Sequence, residues 1–143
     1  MQGKMHVIIV DTNIIISSII GKSYPLLIVR SLILQKKVIC TLSEEILKEY
    51  KNTISSKKFS KIPNFTTESE ELVEEIRSAS HIINPNIKVK ILKDSDGDKF
   101  LELAFSVDAD FLITGNTKHF PFGKFQNTEI ISPANYWKKY WNI

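Results

Sequence analysis

Three features of the sequence predict an α/β fold: a three-layer sandwich with a mainly parallel sheet of about five strands flanked by helices. Residues 5–10 (Met-His-Val-Ile-Ile-Val) form a largely β-branched apolar run that ends on Asp11. Further short apolar runs at 38–41, 111–114 and 129–131 are separated by stretches with helical spacing. The leading run does not alternate apolar with polar residues, which is the pattern of a strand covered on both faces. Strands alternating with helices imply right-handed crossovers and a parallel sheet.

A chain of 143 residues is expected to form one domain over 1–143 with a full hydrophobic core. Its 43% apolar and 24% charged residues are ordinary for a globular protein. The net charge of +3 neither requires nor opposes a nucleic-acid partner. Cys40 is the single cysteine, which excludes an internal disulfide and a thiolate metal cluster. It closes the run Val38-Ile39-Cys40, where it reads as a small buried hydrophobe. The first apolar run is too short for a signal peptide and is interrupted by Asp11. Residues 26–34 contain Arg30 and are too few to span a bilayer. A cytoplasmic protein without a membrane partner is therefore expected.

The elements follow in order. Residues 14–20 read as a short buried helix stopped by Gly21. Ser23 fits the cap of a second helix, with Pro25 in its first turn and an end near Leu34. After Lys36-Lys37, residues 38–41 form the second strand. Thr41 and Ser43 both fit the cap of a helix over 44–54, whose apolar face carries Ile46, Leu47, Tyr50 and Ile54. Residues 55–65 hold Lys57, Lys58, Lys61 and Pro63 and read as a basic loop. Thr67 with Glu70 fits a capping box for a helix ending near Ser80. A short strand is expected at 81–83, before Asn84-Pro85. The acidic turn 93–98 leads into a buried helix over 99–107. Residues 111–114 and 129–131 are the last strands, and Ser132-Pro133 opens a C-terminal helix carrying Tyr136, Trp137, Tyr140 and Trp141. These tryptophans, at i and i+4, read as packing residues rather than base-stacking ones.

Three acids stand at matched places: Asp11 ends the first strand, Glu49 rides the helix after the second, and Asp98 opens the helix before the fourth. In an open parallel sheet, ligands bind beyond the carboxyl ends of the strands. Carboxylates gathered there repel unless a cation lies between them. All-oxygen ligation suits Mg²⁺ or Mn²⁺, which can polarise a phosphodiester and activate water near neutral pH. Helix capping explains the same positions in another way. Asp11 or Asn13 can close the helix that follows, and Ser95 with Asp98 fits a capping box. The Asp94, Asp96, Asp98 alternation is no calcium loop, because Lys99 stands where glycine should and Phe105 where the bidentate glutamate should. Neither a Gly-x-x-x-x-Gly-Lys loop nor a Gly-x-Ser-x-Gly elbow is present.

Four segments together carry a family likeness: Val10-Asp11-Thr12-Asn13, Ser43-Glu44-Glu45-Ile46-Leu47-Lys48-Glu49, Asp98-Lys99-Phe100-Leu101-Glu102-Leu103-Ala104, and Ala109-Asp110-Phe111-Leu112-Ile113-Thr114-Gly115-Asn116. Across essentially its whole length the chain resembles the PIN-domain family, in particular its compact members that are the toxin half of toxin–antitoxin pairs. The resemblance implies a PIN-like sheet and a Mg²⁺- or Mn²⁺-dependent endoribonuclease. It implies metal-binding carboxylates at Asp11, Glu49 and Asp98, with Asp96 in reserve. Thr114 becomes the site-orienting threonine and Asn13 a partner of Asp11. The expected partners are an RNA substrate, a protein antitoxin and further copies of the chain.

Two departures from the family pattern bear on the chemistry. Asn116 stands where relatives often carry a fourth acid; its amide can still serve the site, with one negative charge fewer. Gly97 stands where many relatives have Asp. Lys118 and His119 follow Asn116 and fit contacts to a phosphate backbone, although a lone histidine beside Phe-Pro-Phe also fits packing. The alternative to a nuclease is a catalytically weak or inactive PIN-like module that binds RNA or a protein partner.

Overall fold

The computed structural model describes residues 4–141; residues 1–3 and 142–143 of the expected domain lie outside the described residues. Strands β1 (Val7–Val10), β2 (Ile39–Leu42), β3 (His81–Ile82), β4 (Phe111–Ile113), β5 (Lys124–Phe125) and β6 (Thr128–Ile131) form one sheet. Their order is β3-β2-β1-β4-β6-β5. Every pairing is parallel except that of β5 with β6. In β1, Val7 faces Ile39 of β2 on one side, and Ile9 faces Leu112 of β4 on the other. Ile8, Ile9 and Val10 are wholly buried, as an unalternating apolar run requires.

From β1 the chain winds outward through β2 and β3, then returns to place β4 on β1's other side. That reversal creates a crevice at the carboxyl ends of β1 and β4, where open α/β sheets bind ligands. The sheet has one strand more than expected. Lys124–Phe125 folds back on β6 through Gln126, whose φ is 53°. Two residues with mixed polarity carry too little pattern to announce a strand.

The helices are α1 (Thr12–Ile19), α2 (Ser23–Leu27), α3 (Glu44–Ile54), α4 (Phe65–Ala79), α5 (Asp98–Val107) and α6 (Pro133–Tyr140). Ser43 caps α3 by accepting from the Ile46 amide at 3.1 Å, and Ser132 caps α6 through Asn135 N at 3.1 Å. Other expected caps differ. Ser23 lies inside α2 and makes no cap bond; α2 then widens into a π-helical turn at Ile28–Ile33. Helix α4 begins at Phe65, after a left-handed Asn64, so Thr67 is already internal. Phe65 is buried and stacks on Phe59 at 4.6 Å, and this packing sets the start of α4 rather than the capping box. Phe59 closes a 3-10 turn, Lys57–Phe59, within the expected basic loop.

Trp137 and Trp141 pack against the core edge, while Tyr136 is fully buried and bonds His6 Nδ1 at 2.7 Å. Cys40 is buried, which pushes its thiol up to about 11. Among the described residues, no single helix is long and apolar enough to cross a membrane.

Candidate metal and active site

Asp11 is the first residue after β1, and its two carboxylate oxygens have separate tasks. One accepts the Thr12 amide at 2.7 Å and so caps α1; the other accepts the Thr114 hydroxyl at 2.7 Å. Capping and site readings therefore coexist in one side chain. Thr114 follows β4 directly and is wholly buried, and its hydroxyl oxygen also accepts the Asn116 amide at 3.1 Å. The strand pairing that places Val10 beside Ile113 brings Thr114 to Asp11.

Glu49 reaches the same place from α3. The Thr12 hydroxyl donates to Glu49 Oε2, so one residue ties both carboxylates together. Next along α3, the buried Tyr50 hydroxyl donates to the Val10 carbonyl at 2.5 Å. This bond pins the helix to the end of β1 and fixes the spacing of Asp11 and Glu49. Burial among apolar neighbours drives the Tyr50 hydroxyl's pKa well above its ordinary value.

Burial also raises the pKa of Asp11, and the charge on Glu49 adds to the rise. The bonds from Thr114 and the Thr12 amide, with the nearby His119, pull in the opposite direction. A buried carboxylate facing a second one is an electrostatic arrangement that an added cation would relieve.

The two acids open onto a cavity of about 750 Å³. Its wall also carries Asn13, Asp94, Asp96, Gly97, Asn116 and His119, with Ser56, Lys58 and Phe59 on the side of the 3-10 turn. Asn13 does not bond Asp11; it accepts the Gly115 amide at 3.2 Å and so ties the loop after β4 to α1. Lys118 is exposed in the turn Thr117–His119 and is not part of the lining, whereas His119 is.

Asp98 is placed differently from the other acids. It is 7% exposed, does not line the cavity, and accepts the Leu92 amide at 3.1 Å. One turn on, Glu102 is equally buried and accepts the Val89 amide at 3.0 Å. Residues four apart share a helix face, so Asp98 and Glu102 together fasten the irregular segment 89–92 along α5. Nor does Ser95 cap Asp98: Ser95–Gly97 is a 3-10 turn that Asp94 caps by accepting the Asp96 amide at 3.1 Å. That turn carries Asp96 onto the cavity wall. Gly97 beside it is buried, and a Cβ there would lie 2.5 Å from Leu92 Cδ1 and 3.1 Å from the His119 ring. Any larger residue would have to displace them.

Among the described residues, no three His, Cys, Asp or Glu side chains gather closely enough to enclose a metal. The donor chemistry still fits a hard divalent cation. Mg²⁺ keeps several waters and is commonly held through one or two carboxylates. Asp11 and Glu49 would supply that pair, with Asp96 and the Asn116 amide on the same wall.

Pattern reading did not single out Thr12, Tyr50 or Lys99 as contributors, and it gave His119 only as a phosphate contact or a packing residue. Lys99 donates to Glu49 Oε1 at 2.7 Å and to the Asp96 carbonyl at 2.6 Å. A signal for it existed in the sequence: a cation in a helix's first turn opposes the macrodipole and needs a nearby anion.

The PIN domain family profile matches residues 7–118, from β1 through the turn after β4. An uncharacterized protein of Methanocaldococcus jannaschii, MJ1680, is 30% identical over 109 residues, covering 76% of this chain and 70% of that protein. PIN domains are generally nucleases and usually use divalent metals. The mostly parallel sheet, its crevice between β1 and β4, and the extent of the profile match have one conclusion: the chain belongs to the PIN domain family.

Proposed function

We propose that this protein is a metal-dependent endoribonuclease, with Mg²⁺ or Mn²⁺ as its ion, and that it is the toxin of a type II toxin–antitoxin pair. The observation that carries the nuclease reading is the chain of contacts Thr114–Asp11–Thr12–Glu49, which fixes two carboxylates on one cavity at the sheet's switch point. In this reading Asp11 and Glu49 hold the ion, Asp96 and Asn116 complete the acidic wall, and Asp98 serves the fold. A divalent cation bound there supplies polarisation of a phosphodiester oxygen and neutralises developing charge. Thr114 keeps Asp11 aimed into the cavity, and Thr12 keeps Glu49 beside it. Lys58 and His119 offer cationic or hydrogen-bonding contacts to a phosphate backbone along the rim. The single-domain reading, the cytoplasmic location, an antitoxin partner and self-association belong to the same proposal.

A second reading, a PIN module that binds RNA or protein without cutting, is favoured by Asn116 and by the displaced Asp98. A cleavage assay separates the two. Mixed RNAs incubated with the protein and Mn²⁺ should be cut, with cutting abolished by chelation and by Asp11→Ala. RNA retention without cleavage in a folded wild-type protein would support the second reading instead.

A further inference from the structure

We propose that the Lys99 ammonium is a tethered cation of the acidic site, a positioning residue that neutralises Glu49 and holds the site's affinity for a divalent ion down. The inference rests on the metal-dependent reading above. Lys99 is the second residue of α5, where the helix dipole disfavours positive charge. Its side chain is nevertheless only 15% exposed, and its ammonium is shared between Glu49 Oε1 at 2.7 Å and the Asp96 carbonyl at 2.6 Å. Lys99 is not among the residues lining the cavity, whereas both of its partners, Glu49 and Asp96, are.

Orientation alone does not account for this contact. The other oxygen of Glu49 is already held by the Thr12 hydroxyl, so Glu49 keeps an orienting contact without Lys99. What Lys99 alone adds is one positive charge. That charge permits Glu49 to stand beside Asp11 without an ion between them. It also repels any divalent ion that binds Glu49 from the cavity side, because like charges a few ångströms apart in partly buried surroundings are weakly screened. Asn116 acts in the same direction by withholding a negative charge from the wall.

Mn²⁺ binding, measured by calorimetry on the full chain, tests this with Lys99→Met and Lys99→Arg. The Met variant should bind Mn²⁺ at least about tenfold more tightly than wild type. The Arg variant, which retains the charge, should stay within about twofold. In a Glu49→Gln background the effect of Lys99→Met should shrink, because the part of it that comes from neutralising Glu49 is gone. Should Lys99→Met fail to fold, Lys99→Gln is judged by the same criteria. Equal or weaker binding by the folded uncharged variant overturns the proposal, as does absence of Mn²⁺ binding from every form. RNA cleavage is read separately. Wild type that never cleaves while the affinity order holds retires the nuclease reading and leaves Lys99's role standing; cleavage with equal affinities does the reverse.

Discussion

Replacing Thr114 with valine removes a hydroxyl and almost nothing else. The side chain is wholly buried, so the near-isosteric valine keeps the packing. The bond lost, from Thr114 Oγ1 to Asp11 Oδ2 at 2.7 Å, has an ionised acceptor. Bonds of that kind contribute about 1.5–3 kcal/mol. The Asn116 amide also loses its acceptor, but Asn116 is exposed and water can replace the hydroxyl there. A destabilisation of about 2–3 kcal/mol at pH 7 follows, or a fall in Tm of roughly 10 °C for a domain of this size. Thr114→Ser keeps the hydroxyl and loses one buried methyl, a change of about 1 kcal/mol. Valine should therefore be the more damaging at pH 7. The gap should narrow in acid, as Asp11 protonates and the bond loses its charge assistance. Urea unfolding in EDTA at several pH values measures both. Valine within about 0.5 kcal/mol of wild type, or less damaging than serine, would refute the claim that this hydroxyl steadies an ionised Asp11.

Three other outcomes are expected. Because burial raises the pKa of Asp11 above its ordinary 3.8, its contribution to stability is full below 3.8 and is lost as pH rises through the folded value. In EDTA, Asp11→Asn should therefore gain stability relative to wild type as pH rises from below 3.8 through the raised folded value, and hold that gain above it; a loss of stability relative to wild type over that rise would contradict this. Asn116→Asp should tighten Mn²⁺ binding and lower stability in EDTA, and unchanged calorimetric affinity would remove Asn116 from the ion's surroundings. Asp98→Asn should cost about 1–2 kcal/mol in urea melts while leaving Mn²⁺ affinity alone, and Asp96→Asn should do the opposite.

The parts of the fold that the sequence announces are those where burial imposes a pattern. Ile8, Ile9 and Val10 are apolar in succession because β1 is covered on both faces, and Leu112 and Ile113 answer them in β4. Ser43 and Ser132 announce their helices because each side chain satisfies a free amide two or three residues on. That Asp11 and Glu49 would meet at one cavity was legible because strand ends and helix faces fix their direction. The same logic overreached for Asp98. Its place at the head of α5 was foreseen, but its carboxylate turns toward the Leu92 amide, which belongs to an irregular segment without periodicity. Asp96 faces the cavity because a 3-10 turn separates it from α5, and Asp94 caps that turn instead of Ser95 capping the helix. The start of α4 was misjudged for a related reason: Phe59 and Phe65 stack across a loop, and no local spacing reveals that contact.

The most direct test of the central claim, that Asp11 and Glu49 hold a catalytic ion, is an anomalous difference map from crystals grown with Mn²⁺. A peak is expected in the cavity within about 2.0–2.6 Å of a carboxylate oxygen from each of the two residues, on the wall that also carries Asp96, and lost in Asp11→Asn. A map without a peak there at saturating Mn²⁺, or a peak on the Asp98 side of α5, would contradict it.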